Sequence, residues 1–466
     1  MKTILLRPTD VLFFRDGRPM DGSLAGHGAA WPLPTVVSAA FHAALHQADL
    51  EQATGQKIHH HLRGRNGIYD TNRQPDRKFG SLKTAGPFPV YKDGDTENWH
   101  FSRPADAQLA GSTKPTLLPR QVDRSTTPSS LAPELNYPVT NTGKATKDKL
   151  EAWWSEGAWN AYLGTLPRNR LAAQCSFKND SDFADTEHFI GIGIDPNTGV
   201  QDGERLYSAS YLRLREGWGL GTLATAPEQD FNDSAGDHDL ICSLLKGDGG
   251  RIVIGGQQRA CSAKFVGKTG SRLPLPLGKA DDFTVADGRY LVKWILLSPA
   301  IWPEILENQQ KGVKLHSGGW LPNWIEPGSG RVLLKADDTE RGERENRNAW
   351  RVRVGKLLPF SARLVAAIVP KPLIVTGWAL PNGTDRPDGG AKSTHLAVPA
   401  GAVYYFEATT AAEAQKLANA LNWHGTTHGL EIKNRRSTLL GEKGFGLGVC
   451  GTWHFFSGGG MKNQRI

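Results

Sequence analysis

Apolar and polar positions follow a readable period in only a few stretches of this chain, and those stretches predict its elements. Ile4-Leu5-Leu6 and Val11-Leu12-Phe13-Phe14 read as an opening strand interrupted at Pro8. Asp16 to Trp31 carries four glycines and reads as a loop. Pro32-Leu33-Pro34 then leads into Thr35 as the N-cap of a helix over Val36 to Ala48. From Leu50 to about Thr186 the chain is polar, punctuated by proline and without period. It reads as inserted segments holding one Trp-rich helix at Lys147 to Leu163. His188 to Ile194 alternates with period two, and Leu206 to Leu214 is its expected partner strand. Arg251 to Ile254 and Tyr290 to Ser298 are further strands, and Leu364 to Leu380 is strand-like but broken at Pro370 and Pro372. The charged run Asp337 to Asn348 reads as an exposed loop or helix end.

The last hundred residues are the most legible. Ala402 to Glu407 is a strand, Ala411 to Leu421 a helix, and Val449 to Phe456 a closing strand, with a glycine-rich loop before the last. Strand, helix, loop, strand is the second half of a ferredoxin-like βαββαβ module. The opening strand followed by the 36–48 helix is consistent with a first one. The expected fold class is therefore α+β: two ferredoxin-like (RRM-like) modules with long insertions. One spans 1–300 with a large polar insertion at about 50–186, and the other spans 301–466. No repeat of 20–50 residues is visible, which excludes a solenoid or propeller.

The loop itself, Lys443-Gly444-Phe445-Gly446-Leu447-Gly448-Val449-Cys450-Gly451, changes the picture from fold to chemistry. Glycine has no Cβ, so such a loop can take positive φ and turn successive backbone N–H groups toward an anion. Gly446 to Gly451 also spells the dinucleotide pattern G-x-G-x-x-G. That pattern needs a helix opening on the loop and an acid about 20 residues on. A strand follows instead, and only 15 residues remain after Gly451. No cofactor is expected, and a polyanion is.

Composition and charge narrow the class further. The 466 residues carry a net charge of +8, a mild bias toward an anionic partner. Its distribution is more specific. Seven Lys/Arg and two Asp lie between Lys57 and Lys83. Arg351, Arg353, Lys356 and Arg363 form a second acid-free set, and Lys433, Arg435, Arg436 and Lys443 a third, broken only by Glu442. His59-His60-His61 lacks acids or cysteines at ligand spacing, so a basic contact loop is expected there and no metal. The four cysteines are far apart, no run of 18 apolar residues occurs, and Arg7-Pro8 interrupts any signal-peptide core. These features point to the cytoplasm and away from a membrane.

Several ordered motifs resemble those of CRISPR RAMP proteins, and more narrowly subunit three of the type III-B Cmr effector complex. Asp10-Val11-Leu12-Phe13-Phe14-Arg15-Asp16-Gly17-Arg18-Pro19 with Pro32-Leu33-Pro34-Thr35 is similar to that family's start. Ile190-Gly191-Ile192-Gly193-Ile194-Asp195 and Asp202-Gly203-Glu204-Arg205-Leu206-Tyr207 resemble its central strand pair. Ile254-Gly255-Gly256-Gln257 resembles its Gly-Gly turn, with Gln where an acid is usual. Gly318-Gly319-Trp320-Leu321-Pro322, Val398-Pro399-Ala400-Gly401-Ala402-Val403-Tyr404 and the Gly444-Phe445-Gly446-Leu447-Gly448 loop complete the set. The resemblance covers the chain apart from Leu50 to Thr186.

It implies RAMP-type modules and a non-catalytic, RNA-binding subunit. Its partners would be the 5′ repeat-derived handle of the guide RNA, the large polymerase-like subunit and the backbone subunit, in antiviral defence. The RNA-binding candidates are Arg15, Arg18, His27, Arg435, Arg436, Lys443, Gly444, Phe445 and Gly446. Backbone N–H groups and Lys443 would hold phosphate, and Phe445 would stack on a base or else fill the core. Trp320 and Trp324 read as core or interface anchors. The alternative is a metal-independent RAMP endoribonuclease that processes guide precursor. His27, His42 and His46 with Arg18 would then supply a general base near the 2′-hydroxyl and a cation for the phosphorane.

Overall fold

The structure is a computed structural model. It describes residues 1–14, 25–26, 31–48, 82–94, 96–123, 129–143, 149–165, 175–195, 197–227, 239–246, 249–267, 270–311, 313–335, 346–379 and 390–457. Two antiparallel sheets dominate them. The first runs, edge to edge, Gly250–Val253, Ala260–Phe265, Lys2–Pro8, Trp218–Thr225, Lys83–Asp93, Thr96–Ser102, Trp153–Ser155 and Phe177–Lys178. Taken in chain order, its long strands 2–8, 83–93, 218–225 and 260–265 lie in space as fourth, first, third, second. The second sheet repeats that order. Arg289–Leu296, Ala362–Ile368, Val403–Ala408 and Gly448–Thr452 are its first to fourth strands, with Thr284–Ala286 sharing an edge with the last. The 289–296 strand lies before residue 300 in the chain yet sits at the centre of this second sheet.

Helices cover the outer faces. The helix Pro34–Gln47 packs Val37, Phe41 and Leu45 onto Ile4, Leu6 and Leu220 of the first sheet. Its N-cap is Leu33 rather than Thr35: Pro34 has φ preset for helix and no N–H to leave unpaired, so the helix begins at the proline. Ala411–Leu421 buries Ala414, Leu417, Ala418 and Leu421 on Trp294, Tyr404 and Phe406, and Thr410 accepts from the Glu413 N–H at its start. The inner faces of both sheets meet in one core, where Leu5, Val90, Phe101 and Leu223 join Leu291, Ile295, Tyr405 and Val449. The arrangement is helix, sheet, sheet, helix.

A buried ion pair lies inside that shared core. Lys293, 2% exposed, donates from Nζ to Asp106 Oδ2 at 3.0 Å and to the Tyr162 hydroxyl at 2.7 Å. Tyr405 donates to the same carboxylate oxygen at 3.3 Å. Burial pulls the Lys293 ammonium below its usual range while Asp106 draws it back up.

The expected insertion at about 50–186 is corrected in part. Residues 49–81 lie outside the described residues, but 83–102 supply two strands of the first sheet itself. Pro87 and Pro89 conceal the 83–93 strand from a sequence reading. They are tolerated because the 96–102 strand pairs with it only from Val90 onward, leaving one side of the proline-bearing half free of ladder bonds. The Trp-rich helix shortens to Glu156–Leu163, capped by Ser155 and ended by Gly164 at φ 69°. Ala184–Ile194 and Gln201–Leu214 form the expected pair, with Ala25–Gly26 alongside.

Candidate nucleic-acid interface

The glycine-rich loop folds into the protein rather than out of it. A short 3-10 turn, Gly441–Lys443, puts Leu440 and Gly444 in the left-handed region at φ 60° and 99°. Five consecutive amides then find internal acceptors. Lys443 and Phe445 donate to Leu440 O (3.0 and 3.3 Å), Gly444 to Gly441 O (3.0 Å), Gly446 to Pro299 O (2.7 Å) and Leu447 to Ser298 Oγ (2.9 Å). No N–H of Lys443 to Leu447 is left to cradle a phosphate, which corrects that expectation. The glycines serve close approach instead. A Cβ on Gly444 would lie 3.0 Å from Ala85 Cα of the first sheet, and one on Gly446, at φ 78°, would overlap the Ser437 amide nitrogen.

Phe445 is 0% exposed. Its ring packs with Ile301, Val375 and Ala397, flanked by Leu33, Leu439 and Leu440. Of the two readings left open for it, the structure takes the core.

The two arginines upstream are braces. Arg435 Nη1 donates to Thr84 O at 2.7 Å and Gly441 O at 2.8 Å, joining the loop to the 83–93 strand. Arg436 Nε donates to Ala420 O at 2.7 Å at the end of the 411–421 helix, and its backbone N–H to Gly446 O at 2.7 Å. Burial lowers both guanidinium pKa values to about 10, so both stay charged at neutral pH with carbonyls as partners. Glu431, the acid nearest to them upstream, pairs with Lys433. Lys443 is half-buried, with no side-chain partner among the described residues.

Arg15, Arg18 and His27 lie outside the described residues, as do His59, His60 and His61. Their flanks are fixed: Phe13 O accepts the Gly256 N–H at 2.8 Å, and Leu12 exchanges backbone bonds with Leu212 at 2.8 Å. His42 and His46 stand one turn apart on the 34–47 helix, ring centroids 4.5 Å apart. Trp324 packs on Trp294 and Phe406 in the core beside the second sheet, as an anchor should. Among the described residues no cluster of three or more His, Cys, Asp or Glu has metal-site geometry. No described helix is long and apolar enough to cross a membrane.

The sequence reading passes over charge carried singly on strands. Arg7, Arg251 and Lys264 are exposed and have no ion pair among the described residues. They fall outside every basic cluster. The only signal is their alternation with buried neighbours Leu6, Ile252 and Ala263.

Two antiparallel sheets of matching strand order, closed on each other and buttressed by an arginine-braced glycine loop, define an α+β protein. The chain belongs to the CRISPR-associated protein family Cas_Cmr3, whose family model matches residues 4–453. It is similar to a chain in the cryo-EM structure of the Type III-B Cmr-beta bound to cognate target RNA and AMPPnP, state 1. Identity is 11% over 87% of this chain and 86% of that one, with a TM-score of 0.36. For the same assembly bound to cognate target RNA the identity is 12% over 87% and 86%, with a TM-score of 0.34. No curated protein matches the chain.

Proposed function

We propose that this chain is a non-catalytic, RNA-binding subunit of a type III-B Cmr effector complex. It holds the 5′ repeat-derived handle of the guide RNA and contacts the large polymerase-like subunit and the backbone subunit, in the cytoplasm, in antiviral defence. The observation that carries this reading is the family match running from residue 4 to 453. The shared strand order supports treating each sheet as the core of a ferredoxin-like RAMP module. We place the division between the 260–265 and 284–286 strands, ahead of residue 300.

Geometry sharpens how RNA is held. An RRM stacks bases on the open face of its sheet. Here Leu5, Val90, Leu291 and Tyr405 bury those faces against each other, so RNA runs along loops and edges. Arg15, Arg18, His27 and Lys443 remain the candidates for that contact, while Arg435, Arg436 and Phe445 support the frame.

The test is fluorescence anisotropy of the purified chain, in EDTA, with guide RNA carrying its own or a scrambled handle, followed by a denaturing gel. Tighter binding of the true handle with intact RNA is expected. Site-specific cleavage lost in His27→Ala would instead establish the endoribonuclease. Absence of binding to either RNA would leave only a protein-binding subunit.

A further inference from the structure

The first sheet outreaches the second. On its inner face the shared core ends at Leu5, which is 3% exposed, and the strands beyond it carry cations. Arg7, Ser262 and Arg251 are register partners across three adjacent strands, all exposed. Lys264, also exposed, stands two residues from Ser262 on the same face, opposite Leu5. Arg7 and Arg251 are two strand spacings apart, roughly 10 Å. None of the three cations has an ion pair among the described residues. The nearby Arg213 and Arg259 differ: both pair with Asp10. The turn of the hairpin carrying Arg251 and Lys264 is held to the first residues of the chain by the Gly256 N–H, which donates to Phe13 O.

We propose that this open edge of the first sheet, built on Arg7, Arg251 and Lys264, is a second RNA-backbone site that binds a single strand through its phosphates. The proposal rests on the RNA-binding reading above and adds a surface to it. Three unneutralised cations in fixed register match a polyanion, and Ser262 between them leaves the row flat. With no aromatic among Arg7, Ser262, Arg251 and Lys264, recognition here is by charge and carries no sequence preference.

The experiment uses the full chain and a 20-nucleotide oligouridine, with affinity measured across a salt series. The triple variant Arg7→Gln, Arg251→Gln, Lys264→Gln is expected to bind about tenfold more weakly. The slope of log K against log salt should fall by about 2, at about 0.7 for each phosphate no longer neutralised. The charge-preserving triple Arg7→Lys, Arg251→Lys, Lys264→Arg should restore the slope. If the glutamine triple loses its fold, Arg251→Gln alone, on the edge strand, should lower the slope by about 0.7. Unchanged slope and affinity, with wild-type binding intact, would overturn the proposal and leave the RNA-binding reading standing. Failure of the wild-type chain to bind either oligouridine or guide RNA would overturn both. Polyglutamate competing as well as oligouridine for the wild-type chain, but not for the variant, would reassign the surface to an acidic protein.

Discussion

Phe445 is where the two readings of the glycine loop make opposite predictions. Its ring is 0% exposed and enclosed by Ile301, Val375 and Ala397, whose own exposures are 2% or less. Truncation to alanine deletes a fully buried ring and leaves a cavity, at a cost of about 3–5 kcal/mol. Leucine keeps most of the volume and should cost only about 1–2 kcal/mol. A base stacked on the ring would be worth roughly 1–3 kcal/mol of affinity, about 5- to 150-fold, and leucine would forfeit it as surely as alanine. The assay is urea unfolding of wild type, Phe445→Leu and Phe445→Ala, paired with guide-RNA affinity under conditions where all three are folded. Stability should fall in that order, with affinity of the leucine variant within twofold of wild type. Phe445→Leu with native stability and a tenfold or greater loss of RNA binding would refute the core assignment.

Three further outcomes follow from buried groups. Arg435→Met removes the donor to Thr84 O and Gly441 O, and should cost about 2 kcal/mol in unfolding experiments without changing the salt slope of RNA binding. Lys293→Met leaves Asp106 buried without its cation, and should cost about 3–5 kcal/mol. Pairing it with Asp106→Asn should recover part of that loss, measured as a double-mutant cycle. His100 is 1% exposed, and burial holds its pKa near 4 against 6.5 for a free imidazole. Its folded form therefore resists protonation. Stability is full above pH 6.5 and falls as pH drops toward 4 while the unfolded chain takes up the proton, by about 3 kcal/mol. His100→Gln should flatten that part of the stability curve, and an unchanged curve would contradict the assignment.

The end of the chain was legible because local signals and tertiary structure agree there. The 411–421 helix has its N-cap threonine, its apolar stripe and nothing to override them. The 83–93 strand was illegible because proline rules assume a strand bonded on both sides, and the one-sided pairing that exempts Pro87 and Pro89 is a property of the sheet. The loop failed for a different reason. Glycines at positive φ look alike in sequence whether a phosphate or the protein's own backbone comes close, and only the acceptors at Leu440, Gly441, Pro299 and Ser298 decide between them. Arg435 and Arg436 misled in the same way, since a carbonyl and a phosphate oxygen both attract a guanidinium.

That ambiguity has a consequence for where charge can act. Arginines committed to Thr84, Gly441 and Ala420 carbonyls fix the loop against the first sheet, so the loop joins the two sheets rather than opening between them. The join lets the two inner sheet faces close on a common core, and closure leaves neither face open to a ligand. On the proposed function, binding charge comes from positions the core does not cover: the edge with Arg7, Arg251 and Lys264, and the half-buried Lys443. Cations that close the fold and cations that can meet a polyanion are therefore different residues. Substituting the first set should register as lost stability, and substituting the second as an altered salt dependence.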